Sequence, residues 1–236
     1  MQAVVLAGVD GCPAGWVCVT QQLGSGLIEA SVVLDAPGLA DLDPPPSVLC
    51  IDIPIGLTMR GPRRCDVEAR RVLGPRASSV FDAPPRPALS ASSQAEASAI
   101  RRHIENKGVS CQSFAIYRKV RELDYLLRQR PDLSERFREV HPEVCFWAWN
   151  KGTPMVHSKK RPAGREERLA LTEAHFGVGT FRRLRDSIPR SCAASDDIID
   201  ALAALWTARR VHDGTARTLP STPDRDSCNL RMEMCY

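Results

Sequence analysis

Four aspartates stand where a lone carboxylate is costly. Asp10 closes the apolar run "VVLAGVD", and Asp52 lies between Ile51 and Ile53 in "VLCIDIPIG". Asp197 and Asp200 sit in "SDDIIDALAALW", which otherwise reads as a core helix. A carboxylate in apolar surroundings must be paired, hydrated or bound to a cation. Strand alternation turns Asp52 away from both isoleucines. At 100° per residue Asp197, Asp200, Ala201, Ala204 and Ala208 share one helix side, with Asp196 at its margin. Ile198, Leu202 and Leu205 form the bulky stripe. Ser195 as N-cap and acids in the first turn account for Asp196 and Asp197, but not for Asp200. "EVHPEV" adds Glu139 and Glu143 on either side of His141, a histidine that suits a structural role. Taken singly most of these acids have ordinary explanations: a turn at Asp10, a loop cap at Asp52, a surface Glu139. Together they suit one shared hard cation, Mg²⁺ or Mn²⁺, with Asp10, Asp52, Asp197 and Asp200 as ligands. All six acids, with Glu139 and Glu143, are candidates for phosphodiester chemistry, where two such ions clamp attacking and leaving oxygens.

Positive charge is placed unevenly. The net charge is only +4, but residues 60–76 hold six arginines against two acids, and residues 157–165 hold Lys159, Lys160, Arg161 and Arg165 with no acid. Such clusters fit a polyanionic partner as well as a solvated surface. Arg63, Arg64, Arg76, Arg86, Lys119 and Lys159 are the candidates for contact with nucleic-acid phosphates.

The elements that must position these groups follow from the apolar pattern. Residues 3–9, 15–20 and 27–34 read as a strand meander, and 48–53 as a buried fourth strand stopped by Pro54 and Gly56. An Arg-, Pro- and Ser-rich stretch, 57–92, follows with one helix near 62–73, and its place after the Asp52 strand predicts that it lies beside the acids. Helices are predicted near 91–106, 111–130, 164–176 and 178–187, then the Asp-rich helix. "FREVHPEVCFWAW" (137–149) reads as β-rich, with Pro142 at a bulge or strand start. The tail "LRMEMCY" suits an edge strand or docked extension. A single α/β domain over 1–236, with an insertion at about 57–130, is expected.

At 236 residues, with 43% hydrophobic and 25% charged residues, the composition is that of a globular protein with a sizeable core. No apolar run reaches the ~18 residues of a membrane span. The opening "MQAVVLAGVDG" lacks the basic start of a signal peptide. Nine cysteines without CxxC pairs argue against zinc and for a reducing cytoplasm. Nothing in the sequence sets the oligomeric state.

The strand ending in Asp, the Gly-containing turn and "GW" of "AGVDGCPAGWVCV" are similar to the opening hairpin of RuvC-type resolvases, and "DDIIDALAALWTA" resembles their late acidic helix. The motifs "GVDGCPAGW", "IDIPIGL", "CDVEARRVLGPRASSVF", "EVHPEVCFWAWN" and "DDIIDALAALWTARR", in that order, resemble domain-of-unknown-function family 429, whose members are labelled predicted RNase H-like nucleases. The resemblance implies an RNase H-like fold: a mixed five-stranded sheet flanked by helices, its first three strands antiparallel and its fourth parallel to the first. Asp10 and Asp52 match the strand acids, Asp197 and Asp200 the helix acids. It further implies a Mg²⁺- or Mn²⁺-dependent nuclease. The alternatives are a non-catalytic nucleic-acid or protein-binding module, and a phosphotransferase or ATPase of the same superfamily, which would need two copies of the core.

Overall fold

The structure is a computed structural model that describes residues 4–236. Its centre is a sheet begun by three antiparallel strands, β1 (Val5–Cys12), β2 (Gly15–Gln22) and β3 (Ile28–Val33). A short helix, α1 (Ala36–Ala40), leads to β4 (Val48–Ile51), parallel to β1. Strand β5 (Phe137–Glu139) then pairs parallel with β4. The order is β3-β2-β1-β4-β5, a mixed five-stranded sheet of the α/β class.

Between β4 and β5 the chain makes the long excursion expected after the Asp52 strand. It holds α2 (Arg64–Leu73), 3₁₀ turns at Gly74–Ser79 and Arg86–Ala88, α3 (Gln94–Glu105), α4 (Cys111–Ala115) and α5 (Tyr117–Gln129). After β5 come α6 (Pro142–Trp149), α7 (Pro162–Phe176), α8 (Thr180–Ser187) and α9 (Ser195–His212). The tail forms an antiparallel pair, β6 (Thr218–Arg225) and β7 (Arg231–Cys235). A bridge from Cys235 to Val140 docks β7 just beyond β5. Among the described residues no helix is long and apolar enough to cross a membrane.

Residues 137–149 differ from the β-rich reading. Only Phe137–Glu139 is strand, and Pro142 is the first residue of α6. Proline suits that position, because its fixed φ is helical and its missing N–H has no partner to lose there. The apolar run behind it is a buried helix, an assignment that its lack of periodicity leaves ambiguous.

Strand alternation divides the core. Leu6, Val17, Val19, Val48 and Cys50 face Ile198, Ile199, Leu202 and Leu205 of α9. Ala7, Val9, Trp16, Cys18, Leu49 and Ile51 face the other way, toward Leu39 of α1 and Val120, Leu123 and Leu127 of α5. Gly8 belongs to the first set, and a Cβ there would lie 2.1 Å from Leu205 N and 2.2 Å from Ala201 O. Helix α9 therefore lies directly on the β1 backbone, with Ala201 and Ala204 fully buried. Period two carries Asp10 and Asp52, the next even-numbered positions after Gly8 and Cys50, onto this α9 side.

Candidate active site

Asp10 lies near the end of β1 and Asp52 one residue past β4, where its N–H donates to Val9 O at 3.0 Å and extends the parallel pairing by a step. Asp200 is in the second turn of α9 and is 1% exposed. Three separate elements thus bring the three acids into mutual electrostatic reach, as the expectation of adjacent Asp10 and Asp52 strands required. Burial above all, then the charges of Asp52 and Asp200, push the Asp10 carboxyl well above the usual carboxylate range. Burial also raises Asp52, with Glu143 adding to the rise while His141 and Lys159 oppose it. Asp200 is raised by burial to about 6, although Lys159 works in the opposite direction.

Lys159 supplies a cation in direct contact with the cluster: its Nζ donates to Asp200 Oδ2 at 2.5 Å. Asp200 raises the Lys159 pKa, and Asp10 and Asp52 add to the effect. Asp197 sits at the margin with a second task. Ser195 is not the N-cap, because Ala194 holds that position and has no side-chain acceptor. Asp197 Oδ2 instead accepts the Ala194 N–H at 2.8 Å, and burial leaves its carboxyl raised despite that bond.

Asp10, Asp52 and Lys159 line a cavity of about 550 Å³, whose lining does not include Asp197 or Asp200. Its floor is Asp10, Gly11, Asp52 and Lys159; the excursion supplies Arg76, Ser78, Ser79 and Phe81 from one side and Gln112, Ile116 and Lys119 from another. The 57–92 segment accordingly flanks the acids. His141 and Glu143 complete the wall. His141 Nε2 lies 3.3 Å from Ser79 O; a carbonyl only accepts, so Nε2 carries a proton in that contact. Its Nδ1 is buried without a hydrogen-bond partner among the described residues; Arg76 Nε and Glu143 Oε2 also lack one, but they face each other at 3.9 Å as an ion pair. The other Glu143 oxygen accepts from Arg168 at 2.5 Å.

Several sequence candidates lie elsewhere or are already engaged. Arg63 is 2% exposed, and its guanidinium donates to Asp66 at 2.5 Å and to both oxygens of Glu139 at 2.6 and 2.7 Å. Glu139 also accepts the Ile55 N–H. Glu139, which also lines the cavity, is thus neutralised by Arg63 and accepts three hydrogen bonds, and Arg63 has no free donor fork for a phosphate. Their pair fixes the turn after Asp52 instead. Arg64 is 58% exposed and pairs with Asp224 outside the cavity. Arg86 also lies outside it, bound to Asp124 and Asp226. Of the predicted cations, Arg63, Arg76, Lys119 and Lys159 line the cavity, Arg63 with a guanidinium already bound to Asp66 and Glu139. Lys119 donates to Gly15 O, with its Nζ 4.4 Å above the Trp16 ring. His141 had a signal, its place between two glutamates, but only the unpaired Nδ1 separates it from a structural histidine.

Among the described residues, the one set of three acidic, thiol or imidazole groups with donor atoms within 4.8 Å of one another is Cys65, Asp66 and Glu139. The Arg63 guanidinium already neutralises that set, and burial pushes the Cys65 thiol up, against the thiolate a metal needs. The Asp10, Asp52 and Asp200 donors do not all lie within that distance of one another. Neither a curated protein nor a solved structure matches the chain. Residues 8–225 match the model of a family described as protein of unknown function (DUF429), and the chain belongs to that family.

Proposed function

We propose that this protein is a metal-dependent phosphodiesterase with an RNase H-like arrangement, acting on nucleic acid. The observation that carries the reading is the convergence of Asp10, Asp52 and Asp200 from three elements, each raised above its ordinary pKa by burial. Like charges packed together are unfavourable unless a cation is shared, Lys159 meets that need by direct contact at Asp200, and such perturbed groups in a cleft mark functional sites. The strand order and the mixed strand directions support the architecture. The donor set, all carboxylate oxygen, suits Mg²⁺ or Mn²⁺ held by Asp10, Asp52 and Asp200 with Asp197 at the margin. When bound there, the ion would neutralise charge on the phosphoryl group and make water a better nucleophile.

The chain's own groups take the remaining tasks. Arg76 and Lys119 face the cavity and meet phosphate oxygens, and Lys159 holds the Asp200 carboxylate until substrate and cation compete for it. His141 Nδ1 is placed to accept a proton beside Asp52. A second reading, a small phosphodiester as substrate, draws on the cavity of about 550 Å³, which is the size of ordinary small-ligand pockets.

The test combines melting curves with a cleavage screen over single-stranded, duplex and structured DNA and RNA and small phosphodiesters. Mn²⁺ should raise the melting temperature of the wild type by mass action and leave Asp52→Asn nearly unmoved. Cleavage should need Mg²⁺ or Mn²⁺ and be lost in the same variant. No response to Mn²⁺ would favour a binding module, and turnover of small phosphodiesters alone would favour the second reading.

A further inference from the structure

A second, smaller concavity of about 270 Å³ adjoins the acidic cavity and shares Lys159 and Lys160 with it. It is lined by Lys159, Lys160, Arg161, Arg165, Ser195 and Asp196, with Pro162 between the basic residues. The starts of two long helices, α7 at Pro162 and α9 at Ser195, meet there. Helix starts carry unpaired N–H groups and partial positive charge, and so favour anions. Lys160, Arg161 and Arg165 form no salt bridge among the described residues. Asp196 contributes an acid to the concavity, and four cations outnumber it.

The basic loop is held in place by side chains of α7. Val156 N–H and His157 N–H both donate to the Glu167 carboxylate, at 2.8 and 3.1 Å. Arg168, 1% exposed, donates to His157 O and Gly164 O and pairs with Glu143 of the cavity wall. Gly164 is required by this contact, since a Cβ there would lie 2.0 Å from Ser158 O. A solvated lysine-rich loop needs no such fixing. Here a buried arginine and a glutamate of α7 set the direction of Lys159 and Lys160 relative to the acids.

We propose that this concavity is a phosphate subsite, which binds a backbone phosphate of the nucleic-acid strand next to the one held at the acids. Lys160, Arg161 and Arg165 neutralise that phosphate, and Lys159 stands between the two positions. The inference rests on the phosphodiesterase reading and gives its substrate a direction, out of the cavity between α7 and α9.

Binding of a fluorescein-labelled oligothymidylate of about 12 nucleotides tests it, by anisotropy in EDTA over a range of KCl concentrations. The triple variant Lys160→Ala/Arg161→Ala/Arg165→Ala changes only exposed side chains, and its melting curve should overlay the wild type. Its affinity at low salt should fall at least about tenfold, and the slope of log Kd against log salt should drop by about 0.7 for each phosphate that the protein no longer neutralises. The control Arg182→Ala, at an exposed position of α8, should leave both unchanged. A folded triple variant with the wild-type slope would overturn the subsite and make the loop an ordinary solvated surface. A Mn²⁺ shift that persists in that case would leave the acidic-site reading standing. Loss of binding in the triple variant without any Mn²⁺ response in the wild type would do the reverse.

Discussion

A carboxyl whose pKa rises on folding is one whose charge the fold resists, and Asp200 shows the consequence for stability. Its ordinary value is 3.8 and burial raises it to about 6. Between those values the folded state holds more protons than the unfolded state, so stability falls as pH rises. The contribution is complete below about pH 4 and is lost as pH climbs through about 6. In chelator, Asp200→Asn should therefore match the wild type near pH 4 and exceed it near pH 7, by a margin on the order of 2 kcal/mol. Added Mn²⁺ should stabilise the wild type and not the variant. Melting curves over that pH range decide the matter: a variant less stable than wild type at neutral pH, yet still responsive to Mn²⁺, would make Asp200 a partner of Lys159 and nothing more. The strand and helix aspartates were legible because each interrupts an apolar pattern that has no use for charge. Arg63 and Glu139 misled for the opposite reason. Composition shows how many cations a segment holds, but a pair separated by 76 positions is formed only by the fold.

At the scale of elements, the site depends on how closely α9 lies against β1. Small residues on the α9 face and Gly8 on the strand permit that approach, and the same contact sets Asp200 beside Asp10. Gly8→Ala places a methyl into the α9 backbone, where no flexible side chain can yield. Overpacking of this kind costs about 1–3 kcal/mol or more, and it should also reduce the Mn²⁺ stabilisation by moving one carboxylate away from the others. Gly24→Ala, at a glycine with nothing within 4 Å, is the control and should do neither. Full Mn²⁺ stabilisation in a destabilised Gly8→Ala would mean that the acids tolerate movement of α9. The helical spacing of Asp197, Asp200, Ala201, Ala204 and Ala208 made this face readable from sequence. Helix α6 was not readable in the same way. Its apolar residues fall on every side of the helix and carry no period, and only Pro142 in the first turn signals a helix.

The whole molecule is closed by its tail, and Asp226 is where distant segments meet. Its carboxylate accepts the Leu57 N–H at 2.9 Å, just past the Asp52 strand, and the Cys228 and Leu230 N–H groups at 2.8 and 3.0 Å within the tail. It also pairs with Arg86, whose guanidinium reaches Asp124 on α5. Arg86 thus belongs to a clasp that joins the excursion, the helix behind the sheet and the final hairpin. Beyond it, Leu230, Met232 and Met234 are buried, and Glu233 pairs with Arg138 of β5 at 2.5 Å. None of these long-range contacts has a local signature; the tail advertises only its capacity to be a strand. Asp226→Ala leaves three N–H groups and an arginine short of a partner, and each buried donor left unsatisfied costs about 1–3 kcal/mol. Because some of those groups regain water, the expected loss is about 3 kcal/mol. It should be local in origin: amide exchange at Leu57 and Leu230 should accelerate well before exchange in β1 and α9. The Mn²⁺ shift should survive, since Asp226 does not line the acidic cavity. Uniform acceleration across the sheet would mean that the clasp and the sheet unfold as one cooperative unit, and unchanged exchange at Leu57 would show that Arg86 and the core hold the excursion without it.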